Sequence, residues 1–309
     1  MVGICAMALV APAAETFSVK ANGWISGVAF SPDGRLLANA CSDHTAQIRS
    51  AETGKEIAVL RGHRDCVTAV AFSPTRQILA TASYDQTARL WDVASARMLL
   101  ELRGHHGPVM AVAFSPDGKL IATAGLDTTI QLWNVRTGAF EGMLRGHLSW
   151  VNSIVFGPDG DVLLSGSSDG TVRIWNVRTG KVKATLRASD SEVRAVAVSP
   201  DGKTIVAGMR YGAIKMWFNQ KERFTAPGHG GDAWSLAFLP DGKNFIYGEG
   251  DWHQPGQVHF RDAVSGELRA SLRHPGEVLS VACSRGGKRV VAGGGDGMLT
   301  LWDVPKSGN

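Results

Sequence analysis

The sequence predicts an all-β fold, a single seven-bladed β-propeller of four-stranded antiparallel blades whose N-terminal strand completes the last blade. Three observations carry that expectation. Gly-His recurs at Gly62-His63, Gly104-His105, Gly146-His147 and Gly228-His229, with two steps of about 42 residues and a last one of about 82. A tryptophan column, often followed by Asp or Asn, keeps the same step through Ile48, Trp91, Trp133, Trp175, Trp217, Phe260 and Trp302. Ser-Pro-Asp-Gly or a relative begins at Ser31, Ser73, Ser115, Gly157, Ser199 and Leu239, with a degenerate copy at Ser284.

Each unit then divides in the same way. Proline presets φ and the following Asp-Gly tolerates a turn, so the third marker joins two strands. Alternating runs such as Val67-Thr68-Ala69-Val70-Ala71-Phe72 and Ala88-Arg89-Leu90-Trp91 read as strands of period two. Four such strands, here called a to d, fit into each repeat of about 42 residues. The blades run over about 20–60, 61–102, 103–144, 145–186, 187–226, 227–272 and 273–309. The last unit holds only three strands, and Thr16-Phe17-Ser18-Val19 is available as its fourth, so residues 15–19 belong to it. The near-identical Asn134-Val135-Arg136-Thr137-Gly138 and Asn176-Val177-Arg178-Thr179-Gly180 point to recent duplication, and the connecting loops have a terse, bacterial style.

Composition agrees. The 309 residues include 37 glycines, about 12% against a usual ~7%, which suits a turn-rich chain. With 44% hydrophobic residues a sizeable core is available, and disorder is excluded. A net charge of +4 is too mild to argue for nucleic acid. Lys and Arg are spread one per blade, as at Arg61, Arg103 and Arg145, without interleaved aromatics. No apolar run reaches the ~20 residues of a membrane-spanning helix. Cys5, Cys41, Cys66 and Cys283 show neither paired nor metal-binding spacing.

Residues 1–14 form a separate apolar segment, Met1 to Ala14, uncharged and carrying Ala11-Pro12-Ala13. It reads as the back half of a secretory leader whose positive beginning is missing, which would place the propeller outside the cytoplasm. The alternative is an apolar tail on a cytoplasmic protein.

On these motifs the chain resembles the WD-repeat β-propellers from about residue 15 to 309, with three markers in register over seven copies. The resemblance implies a buried hydrogen-bonded set in each blade: His, a strand-b Ser or Thr, a turn Asp and the strand-c Trp. Carried over, the sets are His63, Thr81, Asp85 and Trp91; His105, Thr123, Asp127 and Trp133; and His147, Ser165, Asp169 and Trp175. Their recurrence at one period argues against a hydrolytic triad. The other blades depart: Asn39 and Ile48 in the first, Ser189, Ala207 and Tyr211 in the fifth, Tyr247 and Phe260 in the sixth, Ala292 in the seventh. Lower local stability is expected in blades five and six.

The implied function is non-catalytic: a monomeric scaffold for a protein or peptide partner, with no cofactor and no metal. The implied docking face is formed by the loops leading into strand a and the b–c turns. There the sequence offers Trp24, Met110 and Trp150 on one arc, and Glu192, Arg194, Asp232, Trp234 and Glu277 on another. Trp and Arg are common interface anchors, so a partner with an apolar knob and a basic flank is expected. The competing reading has these side chains merely plugging the channel mouth. A small-molecule or enzymatic propeller is the alternative function, using the channel mouth or the sixth-blade insertion at residues 251–257. His253 and His259 with Asp251 or Glu249 lack clean ligand spacing, so loop decoration is preferred over a metal site.

Overall fold

A computed structural model describes residues 14–228, 231–251 and 255–304. Among them, 28 strands form seven four-stranded antiparallel sheets, with one 3-10 turn at Arg210–Gly212. The second blade is typical, with strand a at Val67–Phe72, b at Ile78–Ser83, c at Thr87–Asp92 and d at Met98–Arg103. No described helix is long and apolar enough to cross a membrane.

Blades stack face to face, so strand b is covered on both sides and its alternation fades. Ile78–Ser83 and Thr204–Met209 are buried at every residue. Close stacking selects small side chains on one side of that strand. Its fifth position is Ala40, Ala82, Ala124, Gly166, Gly208, Gly248 and Gly293 in blade order. A methyl group at Gly166 would meet Val193 of the next blade, at Gly248 it would meet Val278, and at Gly293 it would meet Ile25. The opposing positions carry the bulk: Leu79, Ile121 and Leu163 are fully buried against the neighbouring sheets. The three clusters between blades one and four each contain the strand-c tryptophan of one blade and residues from strands b and c of the blade before it.

Every strand a breaks register within its first two residues, leaving one extra residue unpaired: Ser26, Thr68, Met110, Asn152, Arg194, Trp234 and Leu279. A bulge bends a strand and re-aims the extra side chain. Here all seven line the central cavity, which holds about 160 Å³.

The ring closes as the sequence implies. Strand Ala14–Lys20 pairs antiparallel with Met298–Asp303, from Ala14 opposite Asp303 to Lys20 opposite Met298. Ser18 and Thr300 hydrogen-bond through their hydroxyls at 2.9 Å, so the two ends of the described chain share one sheet. Residues 1–13, and with them nearly all of the apolar segment expected to be a leader or a tail, lie outside the described residues, as do His229 and the insertion residues Trp252, His253 and Gln254.

Candidate binding face

The loop into strand a and the b–c turn meet at one end of each blade through a repeated backbone bond. The amide of Ser42 donates to Trp24 O at 3.1 Å, Tyr84 to Cys66 O at 3.0 Å, Ser168 to Trp150 O at 2.9 Å and Arg210 to Glu192 O at 2.9 Å. Beneath that rim, blades two to four hold the four-residue sets. His63 Nδ1 lies 2.7 Å from Asp85 Oδ2 and its Nε2 lies 2.7 Å from Thr81 Oγ1, while Trp91 Nε1 donates to the same hydroxyl at 2.9 Å. The corresponding distances are 2.8, 2.8 and 2.9 Å in blade three and 2.7, 2.6 and 2.8 Å in blade four. One proton arrangement satisfies every member: indole N–H to hydroxyl, hydroxyl to Nε2, and Nδ1–H to carboxylate.

The carboxylates do more than hold the ring. Asp85 also accepts from the Arg64 amide at 3.0 Å and from the Thr87 amide and hydroxyl at 3.0 and 2.6 Å. Burial pushes the Asp85, Asp127 and Asp169 carboxyls up, but the bonds from His, Thr and backbone outweigh it and hold all three well below the usual range.

The remaining blades solve the same interior differently. In blade one, Ile48 is fully buried in the tryptophan column, and Asn39 donates to Gln47 at 3.2 Å, which in turn accepts from Arg49 at 2.7 Å. Blade six places Arg261 Nε 3.3 Å from Tyr247 Oη, His259 Nδ1 2.8 Å from Ser271 Oγ and His259 Nε2 3.3 Å from Glu249. Blade seven keeps His274 and Trp302, but Ala292 offers no hydroxyl and His274 Nε2 is buried without a partner among the described residues.

Two of the residues expected on the rim stand clear: Trp24 is 41% exposed and Trp150 49%. Met110 is half-buried in the central cavity. The other five form one linked chain. Arg194 reaches Glu192 at 2.8 Å and Asp232 at 3.1 Å and lies over the Trp234 ring at 4.6 Å. Trp234 Nε1 donates to Glu277 at 2.8 Å, and Arg210 reaches Glu192 at 3.2 Å. Glu277 is buried, which pushes its carboxyl up. The Trp234 bond opposes that shift, and the charges of Asp232 and Asp251 add to it.

Sequence reasoning missed what the bulge residues do. Ser26 donates to Val67 O at 2.6 Å, Thr68 to Val109 O at 2.6 Å and Asn152 to Val193 O at 2.8 Å, each tying one blade to the next. Arg194 to Asp232 and Trp234 to Glu277 continue the ring with side-chain partners. It also missed Tyr84, Leu148 and Tyr211, all exposed at the same end and Leu148 most of all at 86%. Their place in the b–c turns and the loop into strand a was a usable signal.

Comparison with known proteins agrees with this geometry. The family model described as the IFT122 first beta-propeller matches residues 85–308. The WD domain, G-beta repeat model matches residues 54–92, and the anaphase-promoting complex subunit 4 WD40 domain model matches residues 14–68. No curated protein matches the chain. WD40 propellers generally serve as protein-interaction scaffolds. With more than two thirds of its length under one propeller model and seven blades in its structure, the chain belongs to the WD40 β-propeller family, in the group described by the IFT122 first beta-propeller.

Proposed function

We propose that this propeller is a non-catalytic scaffold that docks a protein or peptide on the face formed by the strand-a loops and the b–c turns. The observation that carries it is the grouping of Trp24, Tyr84, Leu148, Trp150 and Tyr211 as exposed large side chains at that one end. Exposed aromatic and aliphatic groups on a rigid frame lose little entropy on binding and supply most of an interface's energy. Glu192, Asp232 and Glu277 outnumber Arg194 and Arg210 in the linked chain beside them, which favours a partner with a basic flank next to its apolar knob.

The burial of the histidine sets supports the non-catalytic reading. The His63, His105 and His147 side chains are 2%, 2% and 1% exposed, and each hydroxyl is already shared between imidazole and indole. A nucleophile needs a substrate beside it. The central cavity, at about 160 Å³, is also smaller than the 300–1,000 Å³ usual for small-molecule pockets.

The test is capture from native lysate by the full chain beside a Trp24→Ala/Leu148→Ala/Trp150→Ala variant, with captured partners cross-linked and the links mapped. The proposal predicts links to the strand-a loops and loss of capture in the variant, with its melting curve unchanged. Undiminished capture by the folded variant would refute this face as the docking site.

A further inference from the structure

The repeat supplies its own internal control at the opposite end of the ring, and two corners depart from it: blade two, where Ser73-Pro74-Thr75-Arg76 keeps the Pro but lacks the Asp and Gly, and blade seven, which loses all but the Ser and the last Gly. The a–b turns read Ser31-Pro32-Asp33-Gly34, Ser115-Pro116-Asp117-Gly118 and Ser199-Pro200-Asp201-Gly202, with Pro-Asp-Gly again after Gly157 and Leu239. In the first three the serine hydroxyl donates to the Asp carboxylate, at 2.6, 2.7 and 2.5 Å. The seventh blade has Ser284-Arg285-Gly286-Gly287 instead, and its strand b opens with Arg289 where the others have Leu36, Ile78, Leu120, Val162, Thr204 and Asn244. The turn geometry is unchanged: Gly287 N–H donates to Ser284 O at 2.8 Å, as Gly34 does to Ser31 O at 2.8 Å. A carboxylate has been lost and two guanidinium groups gained, of which Arg289 also ties blade seven to blade one through the Ala51 carbonyl.

These residues line a groove of about 820 Å³ across the seam between blades seven and one, together with Arg35, Lys288, Leu36 and Ile57. Four cations face two carboxylates there, Asp33 and Glu52. The Arg285 and Lys288 side chains have no ion-pair partner among the described residues. Arg35 is highly exposed and only 4.0 Å from Asp33, a pairing of little energy. Arg289 is anchored by the Ala51 carbonyl at 3.0 Å and by Asp303 at 3.5 Å, so its charge is held at the groove wall. The cavity at the next seam has only Asp33 and Arg76, and the one spanning blades four to six has no charged residue. Of these three cavities, the one at the closing seam alone gathers several cations.

We infer that this groove binds an acidic segment of a partner protein, its carboxylates meeting Arg35, Arg285, Lys288 and Arg289 and an apolar side chain meeting Leu36 and Ile57. Neighbouring like charges repel, and an anionic ligand relieves that repulsion. Ile57, more than half exposed at the groove's edge, suits a peptide side chain. A nucleic acid fits less well, because Asp33 and Glu52 oppose its phosphates and no aromatic ring lines the groove for a base. The site lies at the far end of the ring from the exposed tryptophans, so it stands or falls apart from that docking face.

The test uses the full chain and a fluorescein-labelled poly-glutamate peptide with one central leucine, read by fluorescence anisotropy at low and high salt. The variant Arg285→Pro/Gly286→Asp restores the chain's own turn, and a side chain at Gly286 meets nothing within 4 Å. Saturable, salt-sensitive binding by wild type, weakened roughly tenfold or more in that variant and in Arg35→Glu, is expected. Arg285→Glu gives the same reading should the double variant fail to fold. Equal binding by a folded variant, no saturable binding by wild type, or tighter binding of a single-stranded oligonucleotide than of the peptide would overturn the inference.

Discussion

Blades two to four and blades five to seven share strands, bulges and turns, yet their polar interiors differ sharply. The first group repeats one hydrogen-bonded set within a tenth or two of an ångström. In the second group, Ala207 and Ala292 stand in the hydroxyl position and Tyr247 fills it in between, all three fully buried. The frame they share is therefore what makes a blade: a small fifth residue in strand b, a bulge at the start of strand a, and apolar contact between sheets. A buried polar set can be replaced by apolar packing at little net cost, provided no member is stranded. Blade five follows that rule, blade six substitutes a different polar set, and blade seven strands His274 Nε2 and Glu277 Oε2 among the described residues.

The comparison breaks most visibly if a complete set is cut. Asp127→Ala strands His105 and the His106 and Thr129 amides and should cost about 3 kcal/mol in urea unfolding. Asp296→Ala in blade seven removes an acceptor only from the Met298 amide among these bonds and should cost about 1 kcal/mol or less. Equal losses would mean that the sets are not what separates the two groups.

Acid should weaken the first group through its three buried carboxylates. Asp85, Asp127 and Asp169 have folded-state pKa values depressed below the ordinary 3.8. Their stabilisation is complete above that value and is lost as the pH falls below it towards their folded pKa values. An Asp127→Asn variant should show a shallower decline of stability below pH 3.8 than wild type, measured by chemical denaturation across that range. An identical slope would remove Asp127 as a source of acid sensitivity.

The smallest effect is also the most constructive. Ala292→Ser supplies the missing hydroxyl between His274 Nε2 and the Trp302 indole, copying Ser165 in blade four. It should raise stability by about 1 kcal/mol, read from the denaturation midpoint. A destabilised variant would show that blade seven is packed too tightly around Ala292 to accept it.

Much of this was readable in advance because period and turn chemistry are local. The tryptophan column and the Pro-Asp-Gly turns follow from spacing, the three histidine sets from the resemblance to the WD-repeat propellers, and closure by the N-terminal strand from counting strands. The bulges were not readable, since the register shift at Ser26 or Asn152 is imposed by the ring rather than by neighbouring residues. The fate of Glu277 was equally hidden: only the packing of blade six against blade seven brings Trp234 to its carboxylate. The exposed arc sits largely over the complete part of the ring, with Trp24 beside blade two, Tyr84 on it, and Leu148 and Trp150 on blade four.

The docking claim is tested most directly by hydrogen exchange of the full chain with and without its captured partner. The account predicts new protection around Trp24, Tyr84 and Leu148 to Trp150, with the strand-b amides of blades two to four slow in both states. Protection confined to the outer d strands, with the strand-a loops unchanged, would contradict it.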